Sequence, residues 1–164
     1  MTLSSGWLLD STYIMPFFGI NVRIPNLKKD LTRVLSANPG KIFVTSCSLI
    51  EAKWKAIRNY LKSGDKSYLK RANYALDSFR QNKYLILIDA WFVRDASNWA
   101  DQLLIEGHQD YMDCWIAGTA KAKNFVLVSE DQPLRELIGK LESWQSFTCI
   151  NWTNFMELDL TQVN

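Results

Sequence analysis

Five short apolar runs, separated by stretches with a helical period, constrain this chain more than any other feature in it. They lie at Gly6 to Asp10, Lys41 to Thr45, Tyr84 to Ile88, Phe125 to Ser129 and Phe147 to Ile150. Continuous apolar runs of this length read as strands covered on both faces. The stretches between them read as helices. One lies near Asn26 to Ala37 and is broken by Asn38-Pro39-Gly40, after Pro16 and Gly19 have limited regular structure upstream. A second is capped by Ser46 or Ser48, carries Ile50, Trp54, Ile57 and Leu61 at helical spacing, and stops at Ser63-Gly64-Asp65. A third runs from Asp65 to Gln81 with Leu69, Ala72, Leu76 and Phe79 inward. Ala90 to Glu106 follows, with Phe92, Ala96, Trp99 and Leu103 in register, up to Gly107. Further helices cover Asp110 to Lys121, the amphipathic stretch of Leu134, Leu137, Ile138 and Leu141, and Asn151 to Leu158. Strands joined through helices need right-handed crossovers, which build a parallel sheet with helices on both sides. The expected fold class is α/β: a three-layer α/β/α sandwich around a parallel sheet of four to five strands.

A chain of 164 residues is long enough to bury about 70% of its unfolded surface in one core, so a single domain over residues 1–164 is expected. No apolar stretch reaches the roughly 18 residues of a membrane helix. The N-terminus lacks a basic region followed by an apolar run, so a soluble, cytoplasmic protein with no membrane partner is expected. Cys47, Cys114 and Cys149 have no metal-ligand or disulfide spacing and read as small buried residues. The net charge of +2 conceals an asymmetry: Lys53 to Lys83 carries +7, and Tyr84 to the C-terminus carries −7. Such a chain presents a basic helical pair and an acidic region.

Two acids stand at strand ends. Asp10 closes the first run and Asp131 follows the fourth. Open parallel sheets bind ligands at the carboxyl ends of their strands. Glu51 and Asp113 fall on helical stretches that can bring them to the same end. Clustered carboxylates repel one another, and the repulsion is relieved by protonation or by a divalent cation; all-oxygen donors favour Mg2+ or Mn2+ over zinc. Asp89 also ends a strand and reads as a helix cap. The lone His108, beside Gly107, reads as a loop residue.

The order of these motifs is specific. Leu9-Asp10-Ser11-Thr12, then Val44 to Glu51, then Asp113-Cys114-Trp115-Ile116-Ala117-Gly118-Thr119-Ala120, then Phe125 to Asp131 closely resembles the PIN-domain family over nearly the whole chain, at the length of its VapC-like toxins. That resemblance implies a Mg2+- or Mn2+-dependent ribonuclease. It gives Asp10, Glu51, Asp113 and Asp131 the catalytic and metal-holding roles. It also implies cleavage to a 5′-phosphate and a 3′-hydroxyl without a covalent intermediate. Thr12 and Ser129 stand where supporting hydroxyls are expected, and Asp110, one turn before Asp113, is a further candidate. The implied partners are an RNA substrate, a small antitoxin protein and a second copy of the chain.

Other readings stay open. An RNA-processing nuclease, or a PIN-like module that binds RNA or protein without cleaving, would carry the same fold. A phosphoaspartate enzyme of the haloacid dehalogenase type also starts with a strand-end aspartate, but usually has a second acid two residues on, where this chain has Thr12. Lys55, Arg58 and Lys62 follow Glu51 along one helix face, either as a phosphate track or as a solvated face with a Glu51–Lys55 pair. Trp54 and Trp99 lie on apolar stripes and are expected in the core; Trp91, Trp115, Trp144 and Trp152 can serve core, dimer contact or base stacking.

Overall fold

The computed structural model describes the backbone of residues 6–161 and the side chains of residues 6–158. Met1 to Ser5, read above for a leader, lie outside the described residues. The five apolar runs form strands β1 (Trp7–Leu9), β2 (Ile42–Thr45), β3 (Leu85–Ile88), β4 (Val126–Val128) and β5 (Cys149–Ile150). All four pairings are parallel and the order across the sheet is β3-β2-β1-β4-β5.

Period-two alternation covers both faces of the sheet except at its edge strand β3, where Ile86 and Leu87 are exposed. Trp7, Leu9, Ile42, Val44, Leu85 and Val128 point into one core, and Leu8 and Leu127 into the other, with Phe43 and Ile88 packed against it. The first core is closed by α1 (Ser11–Ile14), α2 (Leu27–Ala37), α3 (Ser46–Ser63), α4 (Ser67–Gln81) and α8 (Trp152–Thr161). The second is closed by α5 (Ala96–Ile105), α6 (Tyr111–Ala122) and α7 (Gln132–Lys140). This is the expected three-layer sandwich.

Three local expectations are corrected. The segment around Pro16 is helical: α1 runs directly into a 3-10 turn at Met15–Phe18, closed by Gly19 at a φ of +75°. Helix α3 is capped by Thr45, whose Oγ1 accepts from the Ser48 N–H at 3.1 Å, and its buried face is Cys47, Ser48, Ala52 and Ala56. The stripe Ile50, Trp54 and Leu61 therefore faces outward, with Trp54 57% exposed. Small residues win the inner face because α3 packs against α1, α4 and α6 at once, and a tryptophan there would hold those layers apart. The stretch from Ala90 is not one helix. Asp89 caps a single 3-10 turn, Ala90–Phe92, and Asp95, at a φ of +65°, precedes α5, leaving Phe92 88% exposed. Trp99 is half-buried, against the ring of Trp144.

The closest helix contact is α5 on α6, and it rests on Gly118. A Cβ there would run into the Ala96 carbonyl oxygen and lie 2.9 Å from the Ala100 nitrogen. Gly118→Ala should cost about 1–3 kcal/mol through overpacking, enough to lower Tm by several degrees. Gly139→Ala in α7, where an added Cβ meets nothing within 4 Å, should leave Tm level or raise it. Thermal melts of the two variants check the contrast.

Candidate metal centre

The topology determines where the acids go. After β1 the chain builds outward through β2 and β3, then returns to place β4 on the other side of β1. That reversal opens a crevice at the carboxyl ends of β1 and β4, where α/β sheets place ligands. Asp10 leaves β1 there and Asp131 follows β4. Glu51 enters from the second turn of α3, and Asp113 from the first turn of α6.

Each acid is oriented by local hydrogen bonds. Asp10 is 5% exposed and caps α1: its Oδ1 accepts from the Ser11 N–H at 2.5 Å, and its Oδ2 from the Ser129 hydroxyl at 2.8 Å. The same Ser129 oxygen accepts from the Asp131 N–H at 3.1 Å, so one hydroxyl spans two acids. Asp131 caps α7, its Oδ1 accepting from the Leu134 N–H at 2.9 Å. Glu51 Oε1 pairs with Lys55 Nζ at 2.6 Å, while Oε2 is buried without a hydrogen-bond partner.

One oxygen each from Asp10, Glu51 and Asp113 lie within 4.8 Å of one another. A second set within the same limit joins Asp113, Asp131 and His108. Asp113 is common to both. The structure thus brings all four sequence-derived acids into one cluster. Asp110 is not among them: it is exposed and its Oδ1 caps α6, accepting from the Met112 N–H at 3.0 Å. Thr12 is half-buried in α1 and makes no hydrogen bond to the acids among the described residues, so Ser129 is the hydroxyl that orients the cluster. Arg58 and Lys62 lie exposed further along α3 from Lys55.

Sequence reasoning missed His108. It is buried, its Nε2 lies 3.8 Å from Asp113 Oδ2 and 3.6 Å from Asp131 Oδ2, and that nitrogen has no hydrogen-bond partner. Its place after a helix-stopping glycine and two residues before the α6 cap is one that an exposed loop histidine can share.

Electrostatics reflect the crowding. Burial raises the Asp113 pKa well above the carboxylate range, and the charges of Asp10, Asp110, Glu51 and Asp131 raise it further. Burial also raises Asp10; the Ser129 hydrogen bond opposes it and the charge of Glu51 adds to it. A divalent cation fits this donor set: hard oxygens converge, and two buried polar atoms, Glu51 Oε2 and His108 Nε2, have no partner in the protein.

No protein-family model matches the sequence, and no curated protein matches it either. Solved structures do. VapBC2 from Rickettsia felis, bound to a DNA fragment from its promoter, aligns with a TM-score of 0.59 at 17% identity, covering 89% of this chain and 98% of that one. DNA-bound VapBC from Salmonella typhimurium gives 0.59 at 15%, covering 90% and 98%. PAE2754 from Pyrobaculum aerophilum gives 0.59 at 12%, covering 95% and 90%. The likeness is one of fold, an open parallel α/β sheet with helices on both sides. The chain has the fold of VapC-like PIN domains.

The raised pKa values set the pH response of the metal-free protein. A carboxyl whose folded pKa lies above its unfolded value stabilises the fold below the unfolded value, and this contribution is lost as pH rises through the folded one. Asp10 is raised from 3.8 to about 6 and Asp113 from 3.8 to about 9. In EDTA, these two groups should therefore lower Tm as pH rises from 3.8 to about 9, Asp10 acting up to about 6 and Asp113 throughout. Asp113→Asn should raise Tm at the alkaline end and flatten the slope. Melts of both proteins across that range test this.

Proposed function

We propose that this protein is a Mg2+- or Mn2+-dependent endoribonuclease that hydrolyses RNA phosphodiester bonds, acting as the toxin of a VapBC-type pair in the cytoplasm. The observation that carries the reading is the meeting of Asp10, Glu51, Asp113 and Asp131, from four separate elements, at the carboxyl ends of β1 and β4. A bound divalent cation would supply an activated water and neutralise charge on the phosphoryl and leaving oxygens. The chain's own residues do the positioning. Asp10, Glu51 and Asp113 hold the cation, and Ser129 fixes the rotamers of Asp10 and the backbone of Asp131. Asp131 completes the acidic wall. No nucleophilic side chain is needed, in keeping with hydrolysis by water.

RNA guidance is assigned to the outer face of α3. Lys55 sits against Glu51, with Arg58 and Lys62 exposed beyond it, so a strand leaving the pocket would meet successive cations. Two apolar surfaces support protein partners. Leu49, Ile50, Trp54, Ile57 and Leu76 line an open groove between α3 and α4, which we assign to a second copy of the chain in a homodimer. Exposed Trp91 packs against buried Trp115, the tilted rings 4.6 Å apart, beside Tyr111, and with Phe92 offers an aromatic surface to a small antitoxin. Among the described residues no helix is long and apolar enough to cross a membrane.

Asp10→Asn and Asp113→Asn should each abolish Mn2+-dependent cleavage of folded RNA while circular dichroism stays native; full activity in both would overturn the nuclease reading. Removing the charges of Arg58 and Lys62 together should lower the salt slope of RNA binding by about 1.4–1.8. Trp54→Glu should convert a sedimenting dimer to monomer at micromolar concentration without changing the far-ultraviolet spectrum.

A further inference from the structure

We infer that His108 is a metal ligand, and that its Nε2, with Asp113 and Asp131, makes one half of the centre select Mn2+ over Mg2+. The inference rests on the metal-centre reading above and goes beyond it in naming the donor and the preference it imposes.

The first support is burial without satisfaction. His108 is 8% exposed and its Nε2 reaches no hydrogen-bond partner. Buried polar atoms in native proteins are nearly always paired, and an exception needs an explanation. The second support is distance. Gaps of 3.6 Å to Asp131 Oδ2 and 3.8 Å to Asp113 Oδ2 are too long for hydrogen bonds. They approach the separation of two donors on one cation: bonds of about 2.1 Å put neighbouring ligands about 3.0 Å apart in an octahedron and about 3.4 Å apart in a tetrahedron. A small inward movement of the carboxylates closes the difference.

The imidazole is held by its backbone. The His108 N–H donates to the Leu103 carbonyl at 3.0 Å, and the Gly107 N–H to that of Leu104 at 3.1 Å, closing the end of α5. Gly107 adopts a φ of +107°, which L side chains rarely reach, and that turn sends His108 inward. The His108 carbonyl accepts from Cys114 Sγ at 3.9 Å on α6, one residue from Asp113.

Donor chemistry then sets the preference. Imidazole nitrogen suits first-row transition metals, whereas Mg2+ is bound through oxygen and retains water. The set Asp10, Glu51 and Asp113 is all oxygen and accepts either ion. The set containing His108 does not treat them alike.

The test uses the full chain without a histidine tag, stripped with EDTA and loaded with sub-stoichiometric Mn2+. Since His108 is the only histidine, pulsed electron paramagnetic resonance should show directly bound imidazole nitrogen that can come from no other residue. His108→Gln should erase that signal and weaken Mn2+ binding in calorimetry on the order of 10–100-fold, with Mg2+ binding changed less than about threefold. Should this variant fail to fold, the wild-type spectrum alone decides. Mn2+ bound to wild type without nitrogen coupling, and lost in Asp10→Asn, would overturn the histidine ligand while leaving the acidic centre standing. No Mn2+ binding by wild type would overturn both.

Discussion

Mutual repulsion among four carboxylates is the constraint around which the rest of this structure is arranged. Asp10, Glu51, Asp113 and Asp131 crowd together, and burial disfavours the charged forms of Asp10 and Asp113. The fold offsets that cost in small local ways. Asp10 and Asp131 cap helices, Asp113 sits in the first turn of α6 where the helix dipole favours negative charge, and Lys55 neutralises one oxygen of Glu51. Ser129 donates to one acid and accepts from the backbone of another. Under the proposed function, a divalent cation would relieve the residual repulsion, so the strain that weakens the fold would also prepare it for metal.

Bringing four elements so close also dictates the packing. Ala52 and Ala56 on α3, Ala96 and Ala100 on α5, and Gly118 on α6 leave room for the helices to approach. Large side chains that cannot fit between the layers are displaced outward, to Trp54 and Leu61 on α3 and to Trp91 and Phe92 after β3. Small residues at the centre and large ones at the rim are two consequences of one geometry. The first makes the site, and the second leaves apolar surface that suits protein partners.

Strand identity, sheet direction and the acids were legible because each has a local signature: a short apolar run, a helical crossover, a carboxylate at a strand end. Phase was not. The spacing of Ile50, Trp54, Ile57 and Leu61 identifies a helix, but a stripe facing a partner looks the same as one facing a core, and only the competing small stripe Ala52–Ala56 marks the inner side. Phe92 failed for a related reason, since Asp95 at positive φ breaks a period that the residue types alone continue. His108 was missed because nothing local distinguishes an exposed loop histidine from one carried inward by Gly107; its partners Asp113 and Asp131 are five and twenty-three residues away.

The charge asymmetry gains meaning once the acids are placed. A polyanion approaching the pocket would meet carboxylates, which an RNA phosphate has every reason to avoid. The basic block of α3 and α4, at +7 between Lys53 and Lys83, adjoins them through the Glu51–Lys55 pair, where the two fields meet on a single helix. Under the proposed function, attraction along the outside of α3 would hold a strand near a centre that repels it, and a cation held by the acids would reverse the local sign where the phosphate is to be cleaved. Under the proposed function, attraction and chemistry are then divided along one face of one helix: Glu51, near its start, meets the acids, and Arg58 and Lys62, further along, lie in solvent. That division would give the uneven charge distribution of a nearly neutral chain a use.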